Sequence, residues 1–127
     1  MELVAIVAAL ALIEYSVFGL QTGQARGRYG VKAPATSGHE IFERHYRVQQ
    51  NTLEQLVVFL PSLYLFAAYV SAPVAAGLGL VFVVGRALYA RGYVADPAKR
   101  GVGFLTGFAA SNVLLLGGLL GALFALL

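Results

Sequence analysis

Four apolar runs, each near the 20 or so residues that a helix needs to cross the hydrocarbon of a bilayer, divide this chain. They occupy residues 3–20, 53–70, 74–93 and 102–127, and the second helix is expected to begin earlier, near Phe42. Ser71, Ala72 and Pro73 make a tight connection between the second and third runs, and Asp96–Pro97 breaks the chain after the third. The expected spans are therefore about 3–20, 42–70, 74–93 and 102–127. A cleaved signal peptide fits the first run less well. No basic residue precedes it, Glu14 interrupts it, and no Ala-x-Ala site follows.

Composition closes the other options. Hydrophobic residues make up 59% of the 127 residues and charged residues 12%, against about 25% charged in a soluble domain. So short a chain has no soluble core large enough to hide that surface. The expectation is an all-α integral membrane protein: one domain, residues 1–127, folded as a bundle of four transmembrane helices. The net charge of +3 does not imply nucleic acid, because the basic residues gather in two short loops between apolar runs. There is no cysteine, which excludes disulfides and thiolate metal sites. His39 and His45 are six residues apart, whereas a zinc helix of the HExxH kind needs four, so no metal is expected.

The basic residues also set an expected orientation. Arg26, Arg28, Lys32, Arg44 and Arg47 lie in or beside the first loop, and Arg91, Lys99 and Arg100 in or beside the third. Excess Lys and Arg mark cytoplasmic loops. Both long loops should face the cytoplasm and both termini the periplasm, with a bacterial inner membrane suiting the short loops.

Polar groups at membrane depth are costly, about 2.5–3.5 kcal/mol on insertion scales, and usually face the bundle or a watery cavity. Arg47, Asn51 and Glu54 lie at i, i+4 and i+7, on one face of a helix. Arg86, Tyr89 and Tyr93, at i, i+3 and i+7, form a second such stripe at the same end of the bundle. Two stripes at one depth, beneath a cationic loop, suit a pocket for a small zwitterionic ligand with extra carboxylates. Arg26, Arg47 and Arg100 are fitted to hold carboxylates, Glu54 an ammonium group and Asn51 an amide. A structural reading stands beside this one: Glu54 pairs with Arg86 as interhelical glue, and Tyr89 and Tyr93 anchor the helix at the interface. Glu14 and Asn112 read as helix-packing polar groups, and Gly117 with Gly121 as a weak packing motif.

The stretch FERHYRVQQNTLEQL resembles the family of membrane-associated proteins in eicosanoid and glutathione metabolism (MAPEG), whose pattern here is an aromatic-Glu-Arg-x-x-Arg-x-x-x-Asn-x-x-Glu run. QARGRYGVKAP, GLGLVFVVGRALYARGY and DPAKRGVGF resemble three further stretches of that family in order and spacing, so the likeness covers roughly residues 20–108. It is greatest to the type-three microsomal glutathione transferases, with likeness also to type two and to leukotriene C4 synthase. The resemblance implies a four-helix protomer assembling as a homotrimer, with glutathione bound between protomers near the cytoplasmic face. It implies glutathione contacts from Arg26, Arg47, Gln49, Asn51, Glu54, Tyr89 and Tyr93, with Gln49 reaching the adjacent protomer's site. It also gives Arg100 the role of activating the thiol.

Two positions depart from the pattern. Gln55 stands where close relatives often have Tyr, and Gly27 stands where leukotriene C4 synthase has a second arginine, which tells against leukotriene synthesis. The activity so implied is a glutathione transferase or peroxidase that joins glutathione to apolar electrophiles or reduces lipid hydroperoxides arriving through the bilayer. A non-catalytic lipid-binding scaffold on the same fold, and a small transport bundle using Glu14 and Arg86 as a buried relay, are the alternatives.

Overall fold

The computed structural model describes all 127 residues. Helix α1 runs Glu2–Arg28, α2 Glu40–Tyr69, α3 Ala72–Ala95 and α4 Gly101–Leu126, with a 3₁₀ turn at Pro97–Arg100 leading into α4. Each of the four long helices is long and apolar enough to cross a membrane. The bundle presents aliphatic side chains outward. Leu3, Ile6, Ile13, Leu20, Val57, Leu105 and Leu116 are all exposed, as expected where hydrocarbon rather than water is the solvent.

Helix α1 continues about two turns past the apolar run. Gln21, Thr22, Gln24, Arg26 and Arg28 carry it on, because none of them breaks a helix and both arginines suit the negative end of the helix dipole. At 1.5 Å per residue its 27 residues span about 40 Å, more than the roughly 30 Å of hydrocarbon. The chain then turns at Gly30, whose positive φ of 67° favours glycine. Thr22 clips α1 to α2: its hydroxyl donates to the Phe18 carbonyl (2.9 Å) and to the His45 carbonyl (3.1 Å).

Capping fixes the other helix ends. The His39 Nδ1 accepts from the Ile41 amide (3.1 Å) at the start of α2, and the Ser71 Oγ accepts from the Val74 amide (3.3 Å) at the start of α3. At the far end of α3, Arg44 donates to the carbonyls of Val94 (3.0 Å) and Ala95 (3.2 Å) and pairs with Glu40. Those carbonyls have no partner within their own helix, so Arg44 joins the first turn of α2 to the last turn of α3.

The core is a column of small and aromatic side chains. Val4, Val7 and Ala11 from α1 meet Leu56, Phe59 and Leu63 from α2, Phe82 from α3 and Leu114 from α4. The Phe59 and Phe82 rings stack at 3.8 Å between centroids. Helices α3 and α4 approach most closely at glycine. A Cβ on Gly85 would lie 2.6 Å from the Gly107 amide nitrogen, and one on Gly103 would lie 2.6 Å from the Tyr89 Cα. In a membrane, where burial supplies no drive between helices, such close backbone contact holds them together. Gly117 and Gly121 pack instead against α2, at Phe66 and Tyr69.

Candidate functional site

The close contact of α3 with α4 sets the geometry of the polar end. It carries the 3₁₀ turn and the start of α4 across the face of α3, with Gly92 leaving room for Lys99: a Cβ there would sit 2.6 Å from the Lys99 carbonyl oxygen. The Asp96 side chain accepts from the Ala98 amide (3.1 Å) and starts the turn. Arg100, at its end, donates to the Pro97 carbonyl (2.8 Å), which leaves the rest of its guanidinium fork open.

Beneath that turn lies an open cavity of about 360 Å³ lined by Arg47, Asn51, Tyr89, Tyr93, Arg100 and Phe104. Its size falls within the range of small-molecule sites, about 300–1,000 Å³. Two guanidiniums face it and no carboxylate lines it. The aromatic floor is continuous, with Tyr89 5.6 Å from Tyr93 and 6.2 Å from Phe104 between ring centroids.

Arg86, one turn deeper on the same face of α3, does something different. It is 1% exposed. Its Nη2 donates to the Asn51 Oδ1 (2.8 Å) and the Thr52 hydroxyl (2.8 Å), and its guanidinium lies 4.2 Å from the Tyr89 ring centroid. This knot fixes the side-chain positions of the cavity floor. Because its oxygen is taken by Arg86, Asn51 has its amide N–H groups left to offer the cavity.

The expected pairing of Glu54 with Arg86 is not formed. Glu54 instead forms an ion pair with Arg47 at 3.4 Å, along the same helix face, and both side chains are about half exposed (57% and 50%). The face each residue occupies decides this. Glu54 lies on the open side of α2, while Arg86 points into the bundle, where Asn51 and Thr52 meet it first. An exposed ion pair is worth only about 0–1 kcal/mol, so either partner exchanges it for a ligand charge at little cost. Glu14 makes no ion pair with Arg86 either, and its buried Oε1 has no hydrogen-bond partner.

Five of the residues singled out in the sequence thus share one cavity: Arg47, Asn51, Tyr89, Tyr93 and Arg100. Glu54 joins them through Arg47. Arg26 and Gln49 lie elsewhere. Arg26 donates to the Ala35 carbonyl (2.7 Å) and stacks 4.7 Å over the Phe42 ring, tying down the first loop. Gln49 packs on α1, where its amide nitrogen would lie 3.3 Å from a Cβ on Gly19. Sequence reasoning missed Phe104 as a wall of the cavity and Thr52 as a partner of Arg86. Thr52 follows Asn51 directly, and a hydroxyl inside a membrane span was the signal available.

Comparison with known proteins gives the family. Residues 4–120 match the model of the MAPEG family. An uncharacterized protein of Synechocystis sp. is 51% identical over 122 residues, covering 96% of this chain and 89% of its own length. Human microsomal glutathione S-transferase 2 is 42% identical over 122 residues, covering 95% of this chain and 80% of its own. Bovine leukotriene C4 synthase is 35% identical over 98 residues, covering 77% of this chain and 65% of its own. With four helices fit to cross a bilayer and a family match over almost the whole chain, the protein is an integral membrane protein and belongs to the MAPEG family.

Proposed function

We propose that this protein is a membrane glutathione transferase, with the capacity to reduce lipid hydroperoxides, and that the cavity beneath Arg100 holds glutathione. The observation that carries the reading is two guanidiniums over an aromatic floor, in a cavity that no carboxylate lines: Arg100, outside any ion pair, and Arg47, held only by the exposed Glu54. Glutathione brings two carboxylates, one ammonium group and two amides. Arg47 binds a carboxylate as a fork, Glu54 turns from Arg47 to the ammonium, and the Asn51 amide meets a peptide carbonyl. Arg26 and Gln49, which point away from their own protomer's cavity, serve a neighbour's cavity in a homotrimer. The likeness to microsomal glutathione S-transferase 2 supports glutathione as the co-substrate. The basic loops face the cytoplasm in this reading, so glutathione enters from that side and the apolar substrate from the bilayer.

The chemistry rests on the thiol. A free thiol has a pKa of about 8.5, so only a few per cent is thiolate near neutral pH. The Arg100 guanidinium, always charged, stabilises the thiolate and lowers that pKa by one to two units, worth about 1.4–2.7 kcal/mol. The thiolate then attacks an apolar electrophile, forming the carbon–sulfur bond as the leaving group departs with its electron pair. With a hydroperoxide, sulfur attacks the terminal oxygen and the alkoxide leaves as the alcohol. The resulting sulfenic acid condenses with a second glutathione to give the disulfide and water.

A conjugation assay with an aryl halide, run on the purified protein and on Arg100→Ala, tests this. Turnover in the parent and a roughly tenfold loss in the variant, with glutathione still bound, is the expected result. Binding without turnover in the parent makes the protein a scaffold, and equal turnover in the variant removes Arg100 from the chemistry.

A further inference from the structure

On the opposite side of α3 from the glutathione cavity, two further hollows meet. The larger, about 470 Å³, is a mostly apolar groove between α1, α2 and α3, with Phe18, Val48, Ala87 and Ala90 among its walls. Gln21, His45 and Arg91 supply its polar atoms. The smaller, about 280 Å³, is polar and holds Gln21, Gln24, Arg28 and His45. Gln21 and His45 belong to both, so the two form one slot, apolar within and polar at the end of the bundle where the basic loops lie.

The electrostatics of this slot are one-sided. It contains Arg28 and Arg91 and no acidic residue. Neither arginine takes part in any of the three ion pairs of the chain. The Arg28 guanidinium lies 5.7 Å from the Tyr29 ring centroid. Along α3 the groove extends from Ala87 to Ala95, about 12 Å at 1.5 Å per residue. That is close to the depth of one leaflet's hydrocarbon, half of about 30 Å. Two guanidiniums outside any ion pair, Arg91 partway along the mostly apolar groove and Arg28 in the polar hollow that continues it, match one molecule well: a lipid with an apolar chain and an anionic head.

We propose that this slot is a binding site for one anionic phospholipid of the leaflet at the basic end of the bundle. An acyl chain lies along Phe18, Val48, Ala87 and Ala90, and the phosphate is held between Arg28 and Arg91 with Gln24 and His45 beside it. Arginine suits the role, since its planar fork binds phosphate oxygens in pairs. The site is separate from the glutathione cavity, with which it shares no lining residue.

Native mass spectrometry of the full-length protein, exchanged with an equal mixture of phosphatidylglycerol and phosphatidylcholine, tests the proposal. The expected result is one retained lipid per chain, phosphatidylglycerol favoured at least fivefold. The double variant Arg28→Gln/Arg91→Gln should bring the two lipids to parity. Ala87→Phe, at an exposed position in the groove, should lower retention of both. Lys32→Gln is the control, an exposed basic residue of the first loop that does not line the slot. Equal retention of the two lipids by the parent overturns the proposal. So does a loss in Lys32→Gln as large as in the double variant, which makes the preference a general attraction to the basic end. Inorganic phosphate that displaces the lipid outright assigns the slot to a free anion and also overturns it. A change of oligomeric mass in Ala87→Phe with lipid retention intact assigns the groove to contact between copies, with the same consequence. Variants whose unfolding temperature falls are replaced by Arg28→Lys and Arg91→Lys, which keep the charge and should retain part of the preference.

Discussion

Arg86 and Arg100 both border Tyr89, yet they occupy opposite kinds of environment. Arg86 is sealed in the bundle with its Nη2 bonded to Asn51 and Thr52. Arg100 sits on a short turn at the cavity mouth, bonded only to its own loop at the Pro97 carbonyl. A buried guanidinium with fixed partners organises structure, because moving it would strand both the charge and the groups that receive it. A guanidinium at an open cavity has hydrogen-bonding capacity to spend on a ligand. In this protein one arginine builds the floor and the other is free to act above it.

The difference predicts which substitutions damage the fold and which damage only the chemistry. The largest effect should come from the backbone contact beneath both arginines. Gly103→Leu puts a side chain into the α3 backbone at Tyr89, and we expect loss of the folded protein in detergent, seen as aggregation in size-exclusion chromatography. Arg86→Leu comes next. It leaves the Asn51 oxygen and Thr52 hydroxyl without their donor, a cost of about 2–3 kcal/mol, and should show as a clear drop in thermal unfolding temperature. If stability holds, the knot around Arg86 is not what orders the floor. Arg100→Ala should leave the unfolding temperature unchanged while activity falls roughly tenfold, about 1.4 kcal/mol. Glu54→Gln should have the smallest effect. Losing an exposed pair with Arg47 barely alters stability, and the KM for glutathione should rise several-fold while kcat changes little. A fall in stability with KM unchanged would make the Glu54–Arg47 pair a structural brace.

Much of this contrast was legible in the sequence. The four apolar runs mark helices because a bilayer leaves the backbone no other partners, and a 3.6-residue period is enough to put Arg47, Asn51 and Glu54 on one face. Periodicity does not say which partner a charged side chain takes. Glu54 had Arg47 two turns away on its own helix and Arg86 across the bundle, and only the packed structure shows that Asn51 and Thr52 occupy Arg86. Nor does α4 advertise which of its glycines matter. Gly103, Gly107, Gly117, Gly118 and Gly121 look alike in sequence, but Gly103 and Gly107 meet α3, while Gly117, Gly118 and Gly121 meet α2. The slot containing Arg28 and Arg91 was invisible for a similar reason. Its walls come from three helices far apart in the chain, and each contributes residues unremarkable in its own segment.

The pH titration of thiolate absorbance in the glutathione-bound protein, parent beside Arg100→Ala, tests the central claim most directly. Our account predicts a midpoint one to two units below the roughly 8.5 of a free thiol in the parent, so that the thiolate persists as pH falls toward neutral. In the variant the midpoint should return toward the free value with glutathione still bound. A parent midpoint at the free-thiol value, or the same depressed midpoint in both proteins, would contradict it.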